Sequence, residues 1–167
     1  EDIIPRVMAN VDSKKVKLVI VTNPLDVMVM LAQKLSKLPA TRVIGTGTML
    51  DSARFKIILS RHLGISTRSI TSYVLGEHGD SSVINWSSVC VGGIALDDFC
   101  KQAKISLPQT TRNSIEHRVK NAAYEITRGE MGSNSDLVSV LLPKEANIIL
   151  MGSKDIFSTY ESRYAEI

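Results

Sequence analysis

Cysteine is scarce: the chain has only Cys90 and Cys100, ten residues apart, with no further Cys or His beside them at zinc-ligand spacing. Two thiols in a chain of this size make no disulfide framework and no metal set, so buried free thiols are expected. Aromatic residues are also few, and no basic cluster is interleaved with them. A net charge of +3 spread along the chain is too small and dispersed to argue for a nucleic-acid surface, and solvated surface charge is the better reading. No apolar run approaches the roughly 18 residues of a membrane helix, and the N-terminus lacks the form of a signal peptide, so a cytoplasmic setting is expected. The chain opens on Glu1-Asp2 without an initiator methionine, which suggests a fragment or processed product. Its glycines never form the Gly-x-Gly-x-x-Gly turn that seats a pyrophosphate on a helix N-terminus. Gly45-Thr46-Gly47 continues wrongly, and Gly92-Gly93 has no third glycine at the right spacing.

What is present reads as globular: 44% of residues are apolar and 22% charged, enough for one ordinary domain with a substantial core. Ile3 to Val11 reads as the end of a helix, and Val16 to Val21 as a buried strand bounded by Asn23-Pro24. Leu25 to Leu35 is expected to be helical, Arg42 to Ile44 a short strand, and Leu50 to Leu63 a longer helix ended by Gly64. Ile70 to Leu75 reads as a strand feeding a turn at His78. From Ser82 to Ala95 the apolar residues mix the two periods, with Trp86 expected in the core. Thr111 to Thr127 is the clearest amphipathic helix, with Ile115, Val119, Ala122, Ala123 and Ile126 on one face, and His117 and His62 are expected to face solvent. Leu137 to Leu142 and Asn147 to Met151 read as strands joined by a hairpin-like Pro143-Lys144-Glu145.

The chemistry lies in Leu50-Asp51-Ser52-Ala53-Arg54-Phe55 and Gly76-Glu77-His78-Gly79-Asp80-Ser81. A lone histidine is more often a surface or satisfied core residue, but here a carboxylate and a guanidinium accompany it. Those three groups suit the interconversion of a 2-hydroxy acid and a 2-oxo acid. Histidine can take and return the hydroxyl proton, and a carboxylate behind it fixes the tautomer. Arginine clamps the substrate carboxylate through a planar fork that a lysine lacks. Asp51 and Arg54, at i and i+3, share one helical face. On spacing alone an exposed ion pair, worth at most a few tenths of a kcal/mol, is the better reading.

Val21-Thr22-Asn23-Pro24, then Arg42 to Phe55, then Gly76 to Ser81 resemble, in order and interval, the L-lactate dehydrogenase family. The resemblance runs from about Glu1 to Thr127. It implies that His78 is the proton donor and acceptor, Asp51 its partner, and Arg54 the binder of the substrate carboxylate. By the same resemblance Asn23 hydrogen-bonds the substrate oxygen and lies beside the nicotinamide ribose, with Val21 and Thr46 near the nicotinamide of NAD. The fold implied is α/β: residues 1–47 as the C-terminal part of a doubly wound, Rossmann-type nucleotide domain, and 48–167 as an α+β substrate domain. After Thr127 the sequence Arg128 to Ser135 does not match the helix in which the family carries a substrate-contacting threonine, and the stretch to Ile167 matches nothing familiar.

The implied function is NAD-dependent hydride transfer between pyruvate and L-lactate by a cytoplasmic enzyme of glycolysis and carbohydrate metabolism, with a homo-oligomer, commonly a tetramer, as its assembly. Two alternatives stay open. Malate dehydrogenase belongs to the same class, and the loop that separates the two would lie upstream of Glu1. A non-catalytic scaffold without NAD binding is favoured by the missing pyrophosphate turn and opposed by the presence of His78, Asp51, Arg54 and Asn23. Lys56 and Thr71 fall where bisphosphate-activated members tend to carry arginine and histidine, so such activation is not expected.

Overall fold

The computed structural model describes residues 2–127 together with Pro143, Ala146, Tyr160 and Glu161. Helix α1 (Ile3–Met8) leads to strand β1 (Leu18–Ile20), helix α2 (Leu25–Ser36) and strand β2 (Val43–Gly45). Strands β1 and β2 are parallel, with Leu18 opposite Val43 and Ile20 opposite Gly45. Parallel neighbours need a crossover, and α2 supplies it. Pro24 starts that helix with φ −68°, and Lys37 ends it in the left-handed region. Leu25, Val29, Ala32 and Ser36 are its buried residues, a stripe at helical spacing. The apolar members join Ile20, Leu38 and Val43 in one core cluster.

Both strands differ from expectation at their ends. β1 is shorter than Val16 to Val21, and β2 lies one residue later than Arg42 to Ile44. A further strand, β8 (Tyr160–Glu161), pairs antiparallel with β2, giving the order β1-β2-β8. Two residues leave no period to read, and the sequence pattern does not announce it.

Helix α3 (Met49–Leu63) ends at Gly64, as the sequence suggests. Gly64 has φ +67°, a left-handed cap that glycine adopts without steric cost. The apolar face of α3, Phe55, Ile58, Leu59 and Leu63, belongs to a second core cluster that reaches Val119. Helices α4 (Leu96–Ala103) and α5 (Gln109–Thr127) contribute Leu96, Cys100, Ile115 and Val119 to it. Trp86 packs against this cluster, as expected: its ring and that of Phe55 meet edge to face with centroids 5.0 Å apart, and its Nε1 donates to Glu116 Oε1 at 2.6 Å. His62 and His117 are exposed, Cys100 is buried and Cys90 half-buried.

The single strand expected over Ile70 to Leu75 is broken in two. Strand β3 (Ile70–Thr71) pairs with β6 (Cys90–Val91), which pairs in turn with β7 (Ile94–Ala95). Strand β4 (Val74–Leu75) pairs instead with β5 (Val83–Ile84). The break has a cause in α3 and the residue before it. The Val74 N–H donates to the Ser52 hydroxyl at 2.9 Å, and the Val74 carbonyl accepts from the Thr48 hydroxyl, so side chains take bonds that a continuous ladder would use.

The strands expected at 137–142 and 147–151 lie outside the described residues. Pro143 and Ala146, expected in or beside a hairpin connection, are helical. Proline followed by Lys, Glu and Ala suits a first helical turn as well as it suits a reverse turn. Among the described residues no helix is long and apolar enough to cross a membrane, and no group of three or more His, Cys, Asp or Glu could hold a metal ion.

Candidate active site

Asp51 lies in the first turn of α3, where the helix dipole favours a carboxylate. It is the pivot of the site. Its Oδ2 accepts from His78 Nδ1 at 2.6 Å, and its Oδ1 accepts from Arg54 Nη1 at 3.1 Å. The exposed-pair alternative fails, because the Arg54 and Asp51 side chains are only 7% and 11% accessible. At that burial the pair is held by geometry that water cannot compete for, and breaking one partner is costly.

His78 sits on the connection between β4 and β5, residues 76–82. Gly76 opens it at φ +92°, a conformation that a side chain would strain. Internal bonds close the turn: Gly79 N–H to the Glu77 carbonyl at 2.9 Å and Ser82 N–H to the Gly79 carbonyl at 3.1 Å. Lys120 of α5 pins it from outside, donating to the Asp80 carbonyl at 2.7 Å.

The hydrogen bond that its Nδ1 donates to Asp51 holds the His78 imidazole above its ordinary pKa of 6.5. Burial opposes this, the Asp51 charge adds to it, Arg54 opposes it, and Asp26 adds to it. Since the folded value lies above the unfolded one, the resulting stabilisation is complete below pH 6.5 and is lost as pH rises through the raised value. With Nδ1 committed to the carboxylate, the proton of the neutral ring belongs on Nδ1. Nε2 is then the atom that exchanges a proton with anything bound.

Asp51→Asn should lower the His78 pKa, because the amide replaces an ionic acceptor with a neutral one. A proton NMR titration reads this directly, with the exposed His62 and His117 as references in the same spectrum. An unmoved His78 would show that the carboxylate does not govern it.

Val21, Asn23 and Thr46 stand just beyond the C-terminal ends of β1 and β2. Val21 and Asn23 are exposed and Thr46 half-buried, and the Thr46 N–H bonds the Ile20 carbonyl at 3.1 Å, tying the two strand ends together. Asp26, three residues after Asn23 in the first turn of α2, has a carboxyl that burial holds above its ordinary pKa of 3.8, with the neighbouring His78 opposing the shift. Sequence reading misses Asp26, since an acid in a first helical turn is explained by the helix dipole alone.

The description "lactate/malate dehydrogenase, alpha/beta C-terminal domain" matches residues 48–166. The chain belongs to that family. The match runs through the stretch after Thr127, where the sequence shows no legible resemblance. An L-lactate dehydrogenase of Geotalea daltonii is 41% identical over 152 residues, covering 89% of this chain and 47% of the relative. One from Thermus aquaticus is 39% identical over 157 residues, covering 94% and 50%. Among solved structures, MGS-M5, a lactate dehydrogenase from a Medee basin deep-sea metagenome library, superposes with a TM-score of 0.82 at 32% identity over 93% of this chain and 50% of its own. The lactate dehydrogenase from Cryptosporidium parvum gives 0.77 at 33% identity, over 87% and 49%. The chain thus spans about half the length of the family relatives it matches.

Proposed function

We propose that this chain is the catalytic part of an NAD-dependent L-lactate dehydrogenase, with residues 1–47 the end of the nucleotide domain and 48–167 the substrate domain. The observation that carries the reading is the buried Asp51 carboxylate shared between His78 Nδ1 and Arg54 Nη1. Packing alone asks for no such set. The division is supported by the two apolar clusters, one ending at Val43 and the other beginning at Phe55.

In oxidation of the hydroxy acid, His78 takes the hydroxyl proton at Nε2; in reduction of the oxo acid it gives the proton back. Asp51 keeps the ring in the Nδ1–H tautomer and stabilises the imidazolium. Arg54 holds the substrate carboxylate and orients the reacting carbon. NAD, when bound, supplies or accepts the hydride. Val21, Asn23 and Thr46 would hold its nicotinamide end, and Asn23 would also donate to the substrate oxygen. They fit that group, because they stand accessible at the C-terminal ends of parallel strands, where open α/β sheets receive ligands. A cytoplasmic homotetramer serving glycolysis belongs to the same proposal, on family resemblance.

The test separates the two halves of the reading. A fluorescence titration of the 167-residue chain should give NADH affinity of about millimolar or weaker, since no pyrophosphate turn anchors the remote half that positions the nicotinamide. Joined to the dinucleotide-binding half of a relative, the same residues should reduce pyruvate, with oxaloacetate assayed beside it. Micromolar NADH binding by the bare chain would overturn the division. A folded, NADH-binding joined protein that reduces neither acid would overturn the activity.

A further inference from the structure

We infer that the hydroxyls of Thr48 and Ser52 are positioning groups for His78: they fasten β4 to the start of α3, the turn that carries Asp51, and so set where the imidazole meets the carboxylate. The inference rests on the reading of His78 as the proton-transfer group and adds the device that keeps it beside its partner. Strand β4 has a strand neighbour on one side only, β5. The N–H and carbonyl of Val74, groups of the kind an edge strand leaves open, are both taken by side chains. The N–H donates to Ser52 Oγ at 2.9 Å, and the carbonyl accepts from Thr48 Oγ1. The Ser52 hydroxyl gives its own proton to the Thr48 carbonyl at 2.9 Å, so toward Val74 its oxygen acts as acceptor. Thr48, Ser52 and Val74 are all buried, and water does not reach them to replace either bond.

These two bonds sit at the root of the histidine loop. Val74 precedes His78 by four residues, and Asp51 lies between Thr48 and Ser52 in the chain. The loop itself is open: of residues 76–80 all but His78 are exposed. Its internal bonds, from Gly79 N–H to the Glu77 carbonyl and from Ser82 N–H to the Gly79 carbonyl, fix its shape and not its distance from α3. The hairpin beneath it pairs over two residues on each strand, too short to be a stable anchor by itself. The bond from His78 Nδ1 to Asp51 Oδ2, at 2.6 Å, is lost after a small drift of the loop. Bracketing Val74 from the turn that holds Asp51 keeps the two in register. Neither hydroxyl carries a charge, so removing one leaves in place the charged groups around the ring, Asp51 and Arg54 from α3 and Asp26 from α2. A shift of the His78 titration then reports displacement of the ring from Asp51.

The 167-residue chain, without substrate or cofactor, suffices for the test, so a failure of catalysis and a failure of this inference can be told apart. In Thr48→Val and in Ser52→Ala the His78 titration seen by proton NMR should move down, by less than in Asp51→Asn, while His62 and His117 stay where they are. Thr48→Ser keeps the hydroxyl and should titrate like the parent. In Ser52→Ala the Val74 amide should also exchange about tenfold faster, the loss expected for one buried hydrogen bond, with amides inside α5 keeping their protection. A His78 titration at its parental position in both folded variants overturns the inference, whatever Val74 does. A Thr48→Ser titration displaced as far as that of Thr48→Val overturns the assignment to the hydroxyl. If one variant fails to fold, the other decides by the same reading. If both lose protection throughout the chain, the hydroxyls hold the whole fold and not the histidine, and the inference falls.

Discussion

Asp51→Ala should destabilise the chain by about 3 to 5 kcal/mol, the usual cost of removing one partner from a buried charge pair. The Arg54 side chain is 7% accessible and would lose the carboxylate 3.1 Å from its Nη1, and the His78 ring would lose its only fixed acceptor among the described residues. A urea titration followed by circular dichroism measures the loss as a lower midpoint at unchanged slope. The double variant Asp51→Leu with Arg54→Met should recover much of it, since it removes the charge left behind as well as its partner. A loss below about 1 kcal/mol from Asp51→Ala would mean that water solvates Arg54 in solution.

Arg54→Lys should be the most damaging conservative change for catalysis. In the chain joined to a dinucleotide-binding half, the lysine keeps the charge but loses the planar fork, so one ammonium must serve both Asp51 and the substrate carboxylate. The KM for the oxo acid should rise and kcat should fall, a combined cost of roughly 3 to 5 kcal/mol in transition-state binding. Kinetics within about threefold of the parent would remove Arg54 from the substrate site.

His78, Asp51 and Arg54 are legible in the sequence because their residue types carry chemistry that packing does not ask for, and because the i, i+3 spacing lies inside a helix whose stop, Gly64, is itself legible. What the spacing could not say is whether the pair faces water, since burial depends on β4, β5 and α5 arriving from elsewhere in the chain. The break between Thr71 and Val74 was hidden for a related reason. Ile70 to Val74 has the composition of one strand, and only hydroxyls more than twenty residues upstream, on Thr48 and Ser52, divert its hydrogen bonds. Asp26 was hidden by having a sufficient local explanation. β8 was hidden by being too short to have a period at all.

Helix α3 carries Asp51 and Arg54 toward the histidine and, within the next turns, Phe55, Leu59 and Leu63 toward the core. Inserting a single residue between Arg54 and Phe55 would turn one set relative to the other by about 100°, the angle of one helical step. Either the carboxylate would swing away from His78 or the phenylalanine would leave its contact with Trp86. The number of residues in this helix is therefore under tighter constraint than the identity of many of them, and an added residue is expected to be tolerated only in the loops outside it.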